Sequence, residues 1–464
     1  MISTNSKPHH SDQQEHLYSI NIHSFELYSF LSLTPYPQSL LGCSYLIHPQ
    51  PFIMKTATLL STLILGLASA SPLQKRQDLP IGDYDSAIAA GAGSDSGPPV
   101  GDAAPESVVS YDPTKVASEI VAHVTEESVA EATKDTAEVI NVDIKRRGTP
   151  VTCTTRTFNG PRVTDPADTL AAFQNNPEFA EAATNAAKAA NVPSGYAVVP
   201  GFVNLKASNQ DPSYLTYISS KLTGYNPEVC AQHCNTLSGC NGFNICKSAG
   251  LVCHSKIYAN QGKLEVYERV PLIISPVTQT PDSSSCPGLV TSPSATLIKC
   301  AFYGMPIEAS KATNFGQLQG QFQVARAGSN AYIKTSAPSL DTFTGPVSFG
   351  NRTINAPAPV IENGYLRVQT FGTNVPFEPA LCAASCDAQT AYNAKHGTFG
   401  GKPCIFFNAY IFYKNGQDGV FTCAYYSTPY GAARLLNKGQ KDNSGNSFTP
   451  AMSYGYYKDG HYVA

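Results

Sequence analysis

The sequence predicts an α+β fold built from two small, disulfide-rich modules behind a leader of different character. Three observations carry this. The first is a cysteine frame that occurs twice. One copy reads Cys230-Ala-Gln-His-Cys234, Cys240-Asn-Gly-Phe-Asn244 and Cys300-Ala-Phe-Tyr303. The other reads Cys382-Ala-Ala-Ser-Cys386, Cys404-Ile-Phe-Phe-Asn408 and Cys423-Ala-Tyr-Tyr426. The second is that each copy mixes a helical cysteine spacing with strand-like apolar runs. The third is composition: 35 Gly, 34 Pro and only 14% charged residues, which suits short strands joined by many turns. The 464 residues allow two or three domains.

From the N-terminus, residues 1–53 are rich in Ser, His, Tyr and Pro without periodicity, and read as a gene-model extension. Met54-Lys55, the apolar run Ala57–Leu67 and the small residues Ala68-Ser69-Ala70 form a secretory signal over 54–70, cleaved after Ala70. The run is too short to span a bilayer, so the expected location is extracellular or in a cell wall, with no membrane span. Residues 77–144 then hold 14 acidic and 2 basic side chains, a net of −12. Basic clusters frame this stretch, Lys75-Arg76 and Lys145-Arg146-Arg147, and both resemble kexin-type processing sites with cleavage after Arg76 and Arg147. Residues 71–147 therefore read as an acidic propeptide, with a retained linker as the alternative. Its Pro- and Gly-rich front half is expected to be disordered, and Thr114–Ile140 to be helical.

Beyond the leader, residues 148–464 hold 22 basic and 17 acidic side chains, a net of +5. That is too dilute for a nucleic-acid partner. Residues 148–194 form a helical N-terminal extension, because Asp165–Ala190 is Ala-rich and Pro177 fits a helix's first turn or a break between two helices. Residues 195–340 and 341–464 are the two modules. In each, a proline (Pro227, Pro379) precedes a Cys-x-x-x-Cys, whose i, i+4 spacing puts both sulfurs on one helix face. A cysteine then stands four residues before an asparagine with an aromatic just ahead of it. The last cysteine opens a strand-like run, and each copy continues to Asn314-Phe-Gly-Gln317 or Asn437-Lys-Gly-Gln440. So many ordered matches indicate internal duplication. In the region 320–380, Tyr365–Phe371 alternates with period two, as a strand does.

Of the 13 cysteines, only Cys43 precedes the signal, and an even count of 12 in an exported chain reads as disulfides. A zinc site beginning at Cys230, His233 and Cys234 lacks a second ligand pair to complete it. Four cysteines per module allow three pairings, so spacing alone leaves connectivity open. Cys153 and Cys286 stand outside the frame and are paired with each other. Cys246 and Cys253 fall in a segment, roughly 246–265, that the second copy lacks. It reads as a retained intron, or alternatively as a surface loop closed by Cys246–Cys253.

This frame resembles the PAN/Apple superfamily, and more closely the fungal secreted proteins that carry two Apple-like modules. Cys404-Ile-Phe-Phe-Asn-Ala-Tyr-Ile-Phe-Tyr-Lys-Asn-Gly416 and Ile298-Lys-Cys300 carry the likeness, which covers residues 195–464. The resemblance implies a small antiparallel sheet packed on one helix, stapled by nested bridges. By position these are Cys382–Cys423 and Cys386–Cys404 in the second module, and Cys230–Cys300 and Cys234–Cys240 in the first. Relatives of this kind run from Phe-Asn-Ile directly into a Tyr-x-Glu-Arg-like stretch, here Tyr267-Glu-Arg-Val, which is the basis of the intron reading. Such modules bind proteins or carbohydrates. The implied function is a secreted, non-catalytic binding protein of the cell wall or extracellular matrix. A structural wall protein without a specific ligand, and a polysaccharide-active enzyme, are the alternatives.

Motifs for chemistry are sparse. The four histidines after residue 147 (His233, His254, His396, His461) are far apart in sequence. There is no Gly-x-Ser-x-Gly, His-Glu-x-x-His or phosphate-cradling glycine loop, and no frame marks a carboxylate pair for glycoside hydrolysis. No catalytic residue, cofactor or metal is assigned. The 25 tyrosines, with no tryptophan, offer amphipathic rings suited to sugar stacking or protein contact. Tyr425, Tyr426, Tyr430, Tyr454 and Tyr456 are the ligand candidates, against the reading that they fill the sheet's core face. Asn244 and Asn408 read as partners of buried backbone groups, and Asn351-Arg-Thr353 as a glycosylation sequon at Asn351.

Overall fold

The computed structural model describes residues 79, 81–91, 111–124, 138–140, 159–161, 163, 169–250, 295–319 and 322–463. The expected signal peptide, the expected cleavage positions Ala70, Arg76 and Arg147, and Cys153, Cys253 and Cys286 lie outside the described residues.

The leader contributes helix α1 (Ile81–Gly91), helix α2 (Pro113–His123) and strand β1 (Glu138–Ile140). Asp112 caps α2 by accepting from the amides of Thr114 and Lys115, and Pro113 occupies the first turn, where no N–H partner is needed. Helices α3 (Leu170–Gln174) and α4 (Pro177–Ala186) follow, capped by Thr169 and Asn176. Pro177 thus starts the second helix rather than kinking a single one.

The first module runs β2 (Tyr196–Val198), β3 (Tyr214–Ile218), α5 (Pro227–Thr236), β4 (Gly242–Gly250), β5 (Ala295–Tyr303), β6 (Gly316–Gln319) and β7 (Phe322–Lys334). The second runs β8 (Phe343–Gly350), β9 (Tyr365–Phe371), α6 (Pro379–His396), β10 (Phe406–Lys414), β11 (Gln417–Tyr426), β12 (Gln440–Lys441) and β13 (Ser447–Lys458). Among the described residues the strand orders match: β2-β7-β4-β5-β3 with β6 on β7, and β8-β13-β10-β11-β9 with β12 on β13. All these pairs are antiparallel. One topology has been laid down twice.

Four cysteine pairs lie at bridging distance, and each staples its module's helix. Cys230–Cys300 and Cys382–Cys423 tie helix to central sheet, with Cα separations of 6.0 and 5.8 Å. Cys234–Cys240 and Cys386–Cys404 tie the helix to the start of the next strand, at 5.4 and 5.3 Å. These are the four pairs the Apple-like resemblance implies. Cys246 is buried and forms no bridge among the described residues. Residues 246–250, the start of the suspected intron, continue β4 in register with β5, Cys246 facing Lys299 and Gly250 facing Ala295.

The duplicated asparagines repeat as well. Asn244 accepts from the Asn209 amide at 3.0 Å and donates to Ser329 Oγ and the Asn330 carbonyl at 2.9 and 2.8 Å. Asn408 accepts from the Ile354 amide at 3.2 Å and donates to Ser453 Oγ and the Tyr454 carbonyl at 2.8 and 3.1 Å. Each side chain, fully buried, pins a loop to the strand beside it and satisfies groups that would otherwise be costly to bury.

The leader departs from expectation at two places. Its front half is not wholly disordered: α1 packs Tyr84 edge-on to Phe412 and Phe448. The helix expected over Thr114–Ile140 stops at His123, and Glu138–Ile140 is instead a strand lying parallel to β9. A sheet edge supplies the ladder partners that Val139 and Ile140, both β-branched, favour; the outcome is set by tertiary structure rather than by local helix propensity.

Candidate functional site at the junction of the modules

The two modules are locked by one loop of the second inserted into the first. Asn241 Nδ2 donates to the carbonyls of Gly239, Gly304 and Phe377, at 3.1, 2.7 and 2.8 Å, and the Phe377 amide donates to the Gly304 carbonyl at 2.9 Å. Pro376 sits so close that a Cβ on Gly304 would approach it to 2.7 Å. Nearby, the Lys311 ammonium spans the junction, 2.5 Å from Asp211 in the first module and 3.5 Å from Asp418 in the second.

Beside this lock lies a cleft of about 440 Å³, within the size range of small-ligand sites. Its walls carry Lys334 at the end of β7, Glu378 just ahead of α6, Asn235 at the end of α5, and the hydroxyls of Ser194, Ser238 and Ser336. Leu237, Ala337, Pro338 and Phe377 add apolar residues to its lining. Tyr196 Oη donates to Asn235 Oδ1 at 2.8 Å, which fixes that amide. Desolvation lowers the Lys334 pKa, opposed by the Glu378 charge. Desolvation likewise raises the Glu378 carboxyl, opposed by the facing Tyr111 hydroxyl and by Lys334. Glu378 is the only carboxylate among these lining residues, whereas glycoside hydrolysis uses two.

A pH dependence follows. The Glu378 and Glu308 carboxyls are both raised above 4.5, chiefly by desolvation. A folded-state pKa above the unfolded value contributes stability that is full below the unfolded pKa and is lost as pH rises through the folded one. The contribution of these two groups to the melting temperature should therefore fall as pH rises from about 4.5, read as the difference between the parent chain and a variant lacking both carboxyls. The Glu378→Gln/Glu308→Gln variant should show a flatter profile over that interval, and an unchanged slope would refute this assignment.

The five tyrosines proposed as ligand contacts are interior. Tyr425, Tyr426 and Tyr456 are fully buried, and Tyr430 and Tyr454 are 8% exposed. Tyr425 donates to Gln369 Oε1 at 2.7 Å under the Arg367 guanidinium, whose carbon is 4.6 Å from the ring centre. Tyr456 stacks on Phe407 at 4.9 Å, and Tyr426 lies 5.3 Å from Phe406. Tyr430 donates to the Asn363 carbonyl, and Tyr454 joins the main core cluster. Rings without an open face cannot stack on a sugar, so these side chains are core, as β-strand aromatics on an inner face usually are. Asn351 is exposed just after β8, so its side chain is accessible.

Cys230 and Cys234, which the zinc alternative needs, are both taken by bridges, and no three His, Cys, Asp or Glu side chains cluster as metal ligands among the described residues. Lys247 has its pKa pulled down to about 8 by desolvation. Its ammonium lies 4.0 Å from the Tyr225 ring centre and 4.9 Å from that of Phe179, and the residue is buried. No helix is long and apolar enough to cross a membrane among the described residues.

Sequence reasoning did not single out Lys334, Glu378 or Asn235. They stand far apart along the chain and carry no motif; the fold of the first module brings Asn235 and Lys334 together, and docking of the second adds Glu378. Compared with known proteins, the chain matches no family model, no curated protein and no solved structure.

Proposed function

We propose that this chain is a secreted, non-catalytic binding protein whose two Apple-like modules contact a carbohydrate at the cell wall or extracellular matrix. The observation that carries this reading is the cleft between the modules. Lys334, Asn235 and the serine hydroxyls are able to donate, Glu378 is able to accept, and Leu237, Ala337, Pro338 and Phe377 add apolar lining. A sugar presents the complement: hydroxyls that both donate and accept around an apolar C–H face.

The test is titration calorimetry of the full chain with soluble wall oligosaccharides, repeated on Glu378→Gln and Lys334→Ala. Saturable binding without turnover is expected, weakened about tenfold or more by either change, because hydrogen bonds to charged groups contribute roughly 1.5–3 kcal/mol. Binding indifferent to both variants would move the site elsewhere. Absence of binding would favour a structural wall protein, and release of reducing ends would make the chain an enzyme.

A further inference from the structure

The acidic leader occupies a surface of the second module that is built to hold it. Leu79, Tyr84 and Ala87 are buried in the cluster formed with Phe412, Val420 and Phe448. The Leu79 amide donates to Gln440 Oε1 at 3.0 Å, and Gln440 Nε2 donates back to the Leu79 carbonyl at 3.3 Å. The Tyr84 hydroxyl reaches the Gln417 and Asp418 carbonyls at 2.7 and 2.6 Å, across the β10–β11 turn. Asp85 pairs with Lys414 at 2.9 Å. Farther along, Tyr111, Val116 and Ile120 enter the main core cluster with Leu381 of α6 and Phe377, and a Cβ on Gly239 would come within 2.9 Å of the Tyr111 ring. β1 then covers the outer edge of β9, with Glu138, Val139 and Ile140 opposite Gln369, Thr370 and Phe371.

The docked pieces run from Leu79 to Ile140, and the basic clusters Lys75-Arg76 and Lys145-Arg146-Arg147 stand just outside both ends. Cuts at these places would sever the backbone while leaving every contact above untouched. Charge acts in the same direction, since residues 77–144 carry a net of −12 and residues 148–464 a net of +5. An uncovered β9 would also present a free sheet edge, which folded proteins protect.

We propose that the flank of α6, the edge of β9 and the β10–β11 turn form a receptor surface for an acidic peptide. Residues 77–147 are its occupant, and they remain bound as a separate chain after the backbone is cut at 145–147. The segment is then neither a discarded propeptide nor a mere linker, but the second chain of a processed two-chain protein.

The test replaces Lys145–Arg147 in the full chain by a site-specific protease sequence. The chain is cut, cleavage is verified on a denaturing gel, and the product is examined by size exclusion and native mass spectrometry at micromolar concentration. Co-elution of both chains is expected, with separation only in denaturant. Elution of the disulfide-bonded body alone would overturn the proposal. A second arm uses Tyr84→Ala and, separately, Ile120→Asp. Each should weaken retention of the cut segment at least tenfold while circular dichroism of the body stays unchanged. Undiminished retention in both variants would equally overturn the assignment of this surface.

Discussion

Removing the outer bridge of the second module, as Cys382→Ala/Cys423→Ala, is expected to cost about 4 kcal/mol of stability, given the sequence separation of 41 it closes. The inner bridge, Cys386–Cys404, closes 18, and its removal should cost about 3 kcal/mol on the same chain-entropy reasoning. Equilibrium guanidinium unfolding measures both. The order matters more than the sizes, because the cross-link acts mainly on the unfolded chain and the longer loop frees more conformations when opened. An outer-bridge variant losing less than the inner-bridge variant would show that native strain outweighs loop entropy here. For a small module with a thin core, such a loss is a large share of total stability.

The second large effect lies in the paired asparagines. Asn408→Ala strands the Ile354 amide, the Ser453 hydroxyl and the Tyr454 carbonyl, all held by that one side chain. With roughly 1 kcal/mol for each lost hydrogen bond and more for groups left buried without a partner, the expected cost is about 3 kcal/mol. Asn244→Ala removes an equivalent set, to the Asn209 amide, the Ser329 hydroxyl and the Asn330 carbonyl. The two variants should therefore lose similar amounts in denaturant titrations. A loss below about 1 kcal/mol in either would mean that water enters and replaces the bonds.

How much of this could be read from the sequence depended on whether the signal was local. The Cys-x-x-x-Cys pairs are legible because an i, i+4 spacing already fixes a helix face. Pro227 and Pro379 are legible because a proline fits a helix's first turn. The asparagines are legible as partners of buried backbone, since a polar residue beside an aromatic on a strand has few other uses in a core. The tyrosines show the limit. Alternation marks the two faces of a strand, but it does not say that the second face is covered too, and here Tyr425 and Tyr426 are adjacent and both buried. The fate of Glu138–Ile140 was equally hidden, because a three-residue strand is decided by the edge it meets. Lys334 and Glu378 are 44 positions apart, and only docking makes them neighbours.

The triple hold of Asn241 on Gly239, Gly304 and Phe377 bears on recognition as much as on stability. One amide grips carbonyls from both modules, so the cleft walls cannot part without breaking buried hydrogen bonds and pulling Pro376 from its seat. The opening is thus set before any ligand arrives. A partner entering it gives up its own freedom but need not organise the protein, and that saving in ordering entropy is what lets a small polar site bind usefully. Association should accordingly be a single step with no slow conformational phase.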